Sequence, residues 1–187
     1  VPAEPAGFNS VMRMLPRWKD GTDLKQFEAT FDRVGYRLIE GSELDAPPAG
    51  GLPDEGWVHR QMMKASLLNY EGDVRKAEET LAALRAALGE EGELARRWLA
   101  TIAYLQGVTA LRRGENDNCI HCIGASACIL PIVREAVHQD ETGSRAAVRH
   151  FTELLEATSP EAPDHLEVKW LLNLAHMTLG EWPDGVD

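Results

Sequence analysis

The chain has 187 residues, with 19 Lys or Arg against 30 Asp or Glu and a net charge of −11. That length suits one domain or one helical array, and a hydrophobic content of 44% can fill its core. A nucleic-acid binder needs a cationic face, yet no basic cluster exceeds two residues; anionic lipid is disfavoured on the same ground, and no apolar run has the length of a membrane span.

The opening VPAEPAGF has neither the charged n-region nor the apolar h-region of a secretory signal, which fits a mature start after cleavage or an excised fragment. Residues 1–21 are broken by Pro2, Pro5, Pro16 and Gly21. A first helix is predicted after GTD, because Leu24, Phe27, Phe31, Val34 and Leu38 recur at spacings of three and four. Thr22 or Asp23 suits its N-cap, and Gly41 its end. The stretch 41–56 is rich in Pro and Gly and reads as a linker and internal boundary.

From Trp57 the pattern is almost wholly helical, with no useful period-2 strand. Residues 58–88 split at Glu71-Gly72-Asp73 into two helices joined by a tight turn. A long helix is predicted over about 93–113, with Leu94, Trp98, Ile102, Leu105 and Val108 inward.

Next comes ENDNCIHCIGASACILPIVREAVH, 115–138, with all three cysteines and two of the six histidines. Three chemistries compete for it. The c-type haem motif requires His directly after the second Cys, where Ile123 stands. Cys119 and Cys122 would share the first turn of a helix that follows Asn116-Asp117-Asn118, a position that lowers a thiol pKa. With His121, Cys128 and His138 they would form a soft N/S set for zinc or copper, or a redox dithiol. A disulfide between Cys119 and Cys128 needs Gly124-Ala125-Ser126 to turn the chain back, to a Cα separation of about 5.5 Å. Closing that loop would contribute on the order of 2.5–3 kcal/mol.

A further helix is predicted after ETGS, with Ala147, Val148, Phe151, Leu154 and Leu155 on one side. The last runs over about 166–179 and ends at Gly180. Two segments share one pattern: Ala77, Leu81, Leu84 and Ala147, Phe151, Leu154 each place a small residue, a large one four later, and Leu three after that. This resembles the second helix of a tetratricopeptide repeat. The usual first-helix Trp, Leu-Gly and Tyr are replaced by Gln61, Lys64, Ala65 and Leu68.

A more specific resemblance rests on Asn118-Cys119, Cys128-Ile129 with Pro131, His138, Gly143-Ser144 with Ala147, and WLLNLAHMTLGEWPDGV. These motifs resemble the tetratricopeptide-like region preceding FG-GAP/VCBS propeller repeats in secreted bacterial proteins of the ASPIC/UnbV (CRTAC-like) group. The resemblance covers 94–187; 57–93 match only as generic repeat, and 1–56 match no family. It implies a calcium-associated propeller downstream, and it carries no defined activity. It rests on Cys119 and Cys128 rather than Cys122, and so implies that those two pair in an oxidising compartment after export.

Other residues have plainer readings. His59, His150, His165 and His176 are scattered, and Met12, Met14, Met62 and Met63 suit gap-filling. Trp57, Trp98, Trp170 and Trp182 suit packing between helices, with Trp170 and Trp182 also candidates for an interface. Asp45, Asp54 and Glu55 lack the spacing of a calcium loop, and no phosphate loop, nucleophile elbow or zinc-protease helix occurs.

The expected fold is all-α: a tetratricopeptide-like array of antiparallel helix pairs with an irregular cysteine-containing insertion. Residues 1–56 form an N-terminal helix and linker, and 57–187 the helical domain. The expected role is a non-catalytic interaction or scaffold module, without a cofactor, contacting a peptide, a neighbouring subunit or a downstream propeller. The alternative is a copper- or zinc-binding or thiol-redox accessory protein using Cys119, His121, Cys122, Cys128 and His138.

Overall fold

The computed structural model describes residues 12–17, 19–119 and 130–185, apart from the side chains of Ala49 and Cys119. All regular structure in these residues is helical. The chain divides into two compact units, one ending at Leu94 and one running from Ala95. The division thus falls beyond the Pro/Gly-rich stretch expected to mark it.

In the first unit the carboxylate of Asp23 accepts the Gln26 N–H at 2.9 Å, capping α1, Leu24–Phe31. The single helix expected from 24 to 41 is broken. Arg33 adopts a left-handed conformation with φ 48°, and α2 covers Val34–Glu40. Apolar spacing runs straight through the break, but tertiary bonds redirect the chain. Gly35 donates its N–H to Glu71 Oε1 at 2.6 Å, and Tyr36 donates to Asp73 Oδ2 at 2.9 Å. A side chain at Gly35 would lie 2.7 Å from Glu71 Cγ, so only glycine admits that carboxylate. As a result α1 buries no residue; Leu24 is 83% exposed and Phe27 38%.

Gly41 ends α2 as expected. The following stretch does not stand apart as a linker. A 3-10 turn at Glu43–Asp45 buries Leu44, whose carbonyl accepts from Gln61 Nε2 at 2.9 Å, and Asp45 pairs with Lys64. Both partners lie on α3, Glu55–Tyr70, which Asp54 caps through the Trp57 N–H.

The tight turn at 71–73 has a physical cause in two bonds. Gly72, φ 81°, donates to Asn69 O, and Asp73 donates to Leu68 O, satisfying carbonyls that the end of α3 would leave open. Asp73 then caps α4, Val74–Leu88. Val74, Ala77, Leu81 and Leu84 fall at spacings of three and four and are buried, and α3 and α4 pack as a hairpin.

Next, α5 covers Glu93–Cys119, all but its first two residues in the second unit, and is longer than the predicted 93–113. Buried residues lie on more than one side of it, from Ala95 and Trp98 to Ala110 and Leu111. A 3-10 turn follows at Arg134–Ala136. Next, α6 spans Thr142–Ala157 and buries Ala147, Phe151 and Leu154. It begins ahead of the expected start after Ser144, so Gly143 and Ser144 lie inside the helix and are buried. It packs against α7, His165–Thr178, which ends like α3: Gly180, φ 69°, donates to Met177 O and Glu181 donates to His176 O.

Candidate functional site

The sequence concentrates unusual chemistry between Cys119 and His138, and the structure describes both flanks of that stretch. Cys119 is the last residue of α5. It therefore stands far from the start of that helix, not in the first turn expected to lower a thiol pKa. Its side chain, and all of His121, Cys122 and Cys128, lie outside the described residues. So do the Cys119–Cys128 pairing and four of the five metal-ligand candidates. The fifth, His138, is buried at 4% exposure. Among the described residues no group of three or more His, Cys, Asp or Glu could hold a metal ion.

Asn118 closes the base of the stretch. Its Nδ2 donates to Gly114 O at 2.8 Å and Asp140 O at 2.9 Å. Its Oδ1 accepts from the N–H groups of Gln139 at 2.8 Å and Asp140 at 2.9 Å. A carboxamide offers two donors and two lone pairs, and all four are used. The chain thus leaves α5 and returns at one point.

His138 makes a second tie beside it. Its N–H donates to Thr178 O at 2.8 Å. Its Nδ1 lies 2.9 Å from Ser144 Oγ, which lies 2.8 Å from Thr178 Oγ1, and Thr178 Oγ1 donates to Ala175 O at 2.7 Å. Three buried polar side chains, from the return segment, α6 and α7, thus satisfy one another. Burial pushes the His138 imidazole below its ordinary pKa and keeps it neutral.

Two glycines make room for this cluster. A Cβ at Gly114 would lie 3.2 Å from both His138 Nδ1 and Ser144 Oγ. A Cβ at Gly143 would lie 2.4 Å from Gly114 N and 2.7 Å from Ala110 O, so α5 and α6 meet there backbone to backbone. Pattern reading missed Ser144 and Thr178 as partners of His138. The available signal was a small polar residue on each apolar stripe: Ser144 lies three before Ala147, and Thr178 three after Ala175.

A second feature lies on α7. Val168, Ala175 and Thr178 are buried, while Leu166 and Trp170, one turn apart, are 78% and 55% exposed. Trp182 is 42% exposed. Trp170 and Trp182 therefore do not serve the packing role expected of them, whereas Trp98 is buried and Trp57 half-buried. Near the start of α7, Tyr104 on α5 donates to Glu167 Oε1 at 2.6 Å, and burial, then that carboxylate, push its phenol well above the usual range. At the far end Glu181 pairs with Arg145 and lies 2.8 Å from His176 Nδ1.

No helix of the described residues is long and apolar enough to cross a membrane. Comparison with protein-family models, curated proteins and solved structures finds no match to this chain.

Proposed function

We propose that the chain is a non-catalytic contact module whose docking surface is the outer face of α7. The observation that carries this reading is the pair Leu166 and Trp170, exposed one turn apart on a helix whose other side is buried. Two such side chains leave apolar area in water that a partner would cover, and Trp is the residue most enriched among anchors of protein interfaces. The partner in this reading is a neighbouring subunit or the propeller that the ASPIC/UnbV resemblance implies. The same reading takes the chain as a tetratricopeptide-like array, exported, with Cys119 and Cys128 bonded. The burial of Ala77, Leu81 and Leu84 and of Ala147, Phe151 and Leu154 supports the shared repeat pattern.

The test is light scattering after size exclusion, with acrylamide quenching of Trp170 in the native assembly. A mass above the monomer that Trp170→Glu reduces, together with a protected Trp170, is expected. A monomer with Trp170 freely quenched in the native preparation ends the reading.

One observation favours the second reading, a copper- or zinc-binding or thiol-redox accessory protein. Asn118 holds the two ends of the cysteine stretch together, and a ligand set gains affinity when its chain is already closed. Thiol titration with elemental analysis of the purified protein separates the two: free thiols with stoichiometric zinc or copper favour this one.

A further inference from the structure

We propose that residues 24–40 are a two-state element, bent as in the structure or straightened into one continuous helix, and that Glu71 and Arg37 latch the bent state. In a continuous helix each N–H bonds the carbonyl four residues before it. The N–H groups of Arg33, Val34 and Gly35 would then take the carbonyls of Ala29, Thr30 and Phe31. At the break two side chains stand in for these bonds. The Arg37 guanidinium donates to Ala29 O at 3.2 Å and also to Thr30 O, and the Gly35 N–H donates to Glu71 Oε1 at 2.6 Å. The Glu71 carboxylate therefore holds the place of the Phe31 carbonyl, and the Arg37 guanidinium holds the places of the Arg33 and Val34 N–H groups. Each side-chain bond satisfies a backbone group that the bend would leave open.

The two states carry opposing penalties. The bent state holds Arg33 at φ 48°, a left-handed conformation that strains any residue with a Cβ. The straight state sets Gly35 in a helix interior, where its backbone freedom works against it. The apolar positions Leu24, Phe27, Phe31, Val34 and Leu38 keep helical spacing across the break, so straightening needs no change of register.

The movement costs little packing, because α1 buries none of its own residues. By contrast α2 buries Val34, Gly35 and Ile39, packs on α3, and is tied to the 71–73 turn by the Tyr36 hydroxyl, which donates to Asp73 at 2.9 Å. On straightening, α2 keeps its seat and α1 swings about residues 32–33. Glu71 thus couples the direction of α1 to the turn that joins α3 and α4: whatever draws that carboxylate away from Gly35 releases α1. This inference is independent of the contact reading above.

The experiment is NMR of the full chain, parent against Glu71→Ala, read through the contacts from Hα to the Hβ three residues on that mark a helical turn. The Thr30–Arg33 and Phe31–Val34 contacts are expected to be missing from the parent and to appear in Glu71→Ala. Exchange of the Arg33 and Val34 amides should slow with them, as these groups bond Ala29 O and Thr30 O. A parent that already shows both contacts overturns the proposal. So does a folded Glu71→Ala protein that lacks them, whether Arg33 stays left-handed or α1 unwinds. Should that variant not fold, Arg37→Ala, at an exposed position, is judged by the same two contacts: their appearance upholds the proposal and their absence overturns it.

Discussion

The ring of Phe151 lies where a side chain of Gly107 would be: a Cβ there would stand 2.4 Å from Phe151 Cε1. The absence of a side chain on α5 is therefore what lets α6 bury its largest residue completely. Gly107→Ala gains about 1 kcal/mol of helix propensity but overpacks a fully buried ring, at about 1–3 kcal/mol. The overlap is too deep for the propensity to offset, so the variant should melt below the parent. A higher melting temperature would show that the ring yields.

Gly143→Ala should cost more than Gly107→Ala. Its Cβ meets Gly114 N at 2.4 Å and Ala110 O at 2.7 Å. Backbone atoms of a helix cannot swing aside as a ring can, so α5 and α6 must separate and carry Ser144 away from His138. Paired thermal melts give the order of the two variants, and equal melting temperatures would contradict it.

The helix ends at Gly72 and Gly180 were legible in the sequence because a glycine that adopts positive φ is a local requirement. So was the buried pattern of Ala147, Phe151 and Leu154, since spacing alone puts them on one face. The break at Arg33 was not legible. Its cause is Glu71 and Asp73, about 36 residues away, reaching Gly35 and Tyr36. The polar cluster was hidden for a related reason. Periodicity counts apolar positions, and Ser144, Thr178 and His138 become acceptable in a core only once they satisfy one another. Gly143-Ser144 read as the approach to a helix, whereas both lie within its first turn, pressed against α5.

Asn118→Ala removes four hydrogen bonds at a half-buried position and should cost about 1–3 kcal/mol. Asn118→Asp is the more informative change. It retains an acceptor for the Gln139 and Asp140 N–H groups but loses both donations and sets a negative charge against two carbonyls. Hydrogen exchange at the Gln139 and Asp140 amides should quicken in Asn118→Ala more than in Asn118→Asp, with the amides of α4 unchanged. Equal protection in all three proteins would mean that Asn118 does not close the base.

Acid should destabilise the chain through His138. Desolvation holds its folded pKa below the ordinary value of about 6.5, so on acidification the unfolded chain binds the proton first. Stability from this group is full above about pH 6.5 and falls with pH until the folded ring also protonates. Urea midpoints between pH 8 and 5 should decline more steeply for the parent than for His138→Gln. Parallel curves would place the titration elsewhere.

The tie at Asn118 also bears on how such a chain can vary. Because residues 118 and 139–140 meet at a single carboxamide, the number of residues between them does not set the geometry of α5, α6 and α7. Lengthening a segment whose ends already meet costs only about 0.6 kcal/mol per doubling. Residues inserted between 120 and 129 should therefore leave the packing of α5, α6 and α7 as it is, whereas changes at Val137, against Gly180, should not.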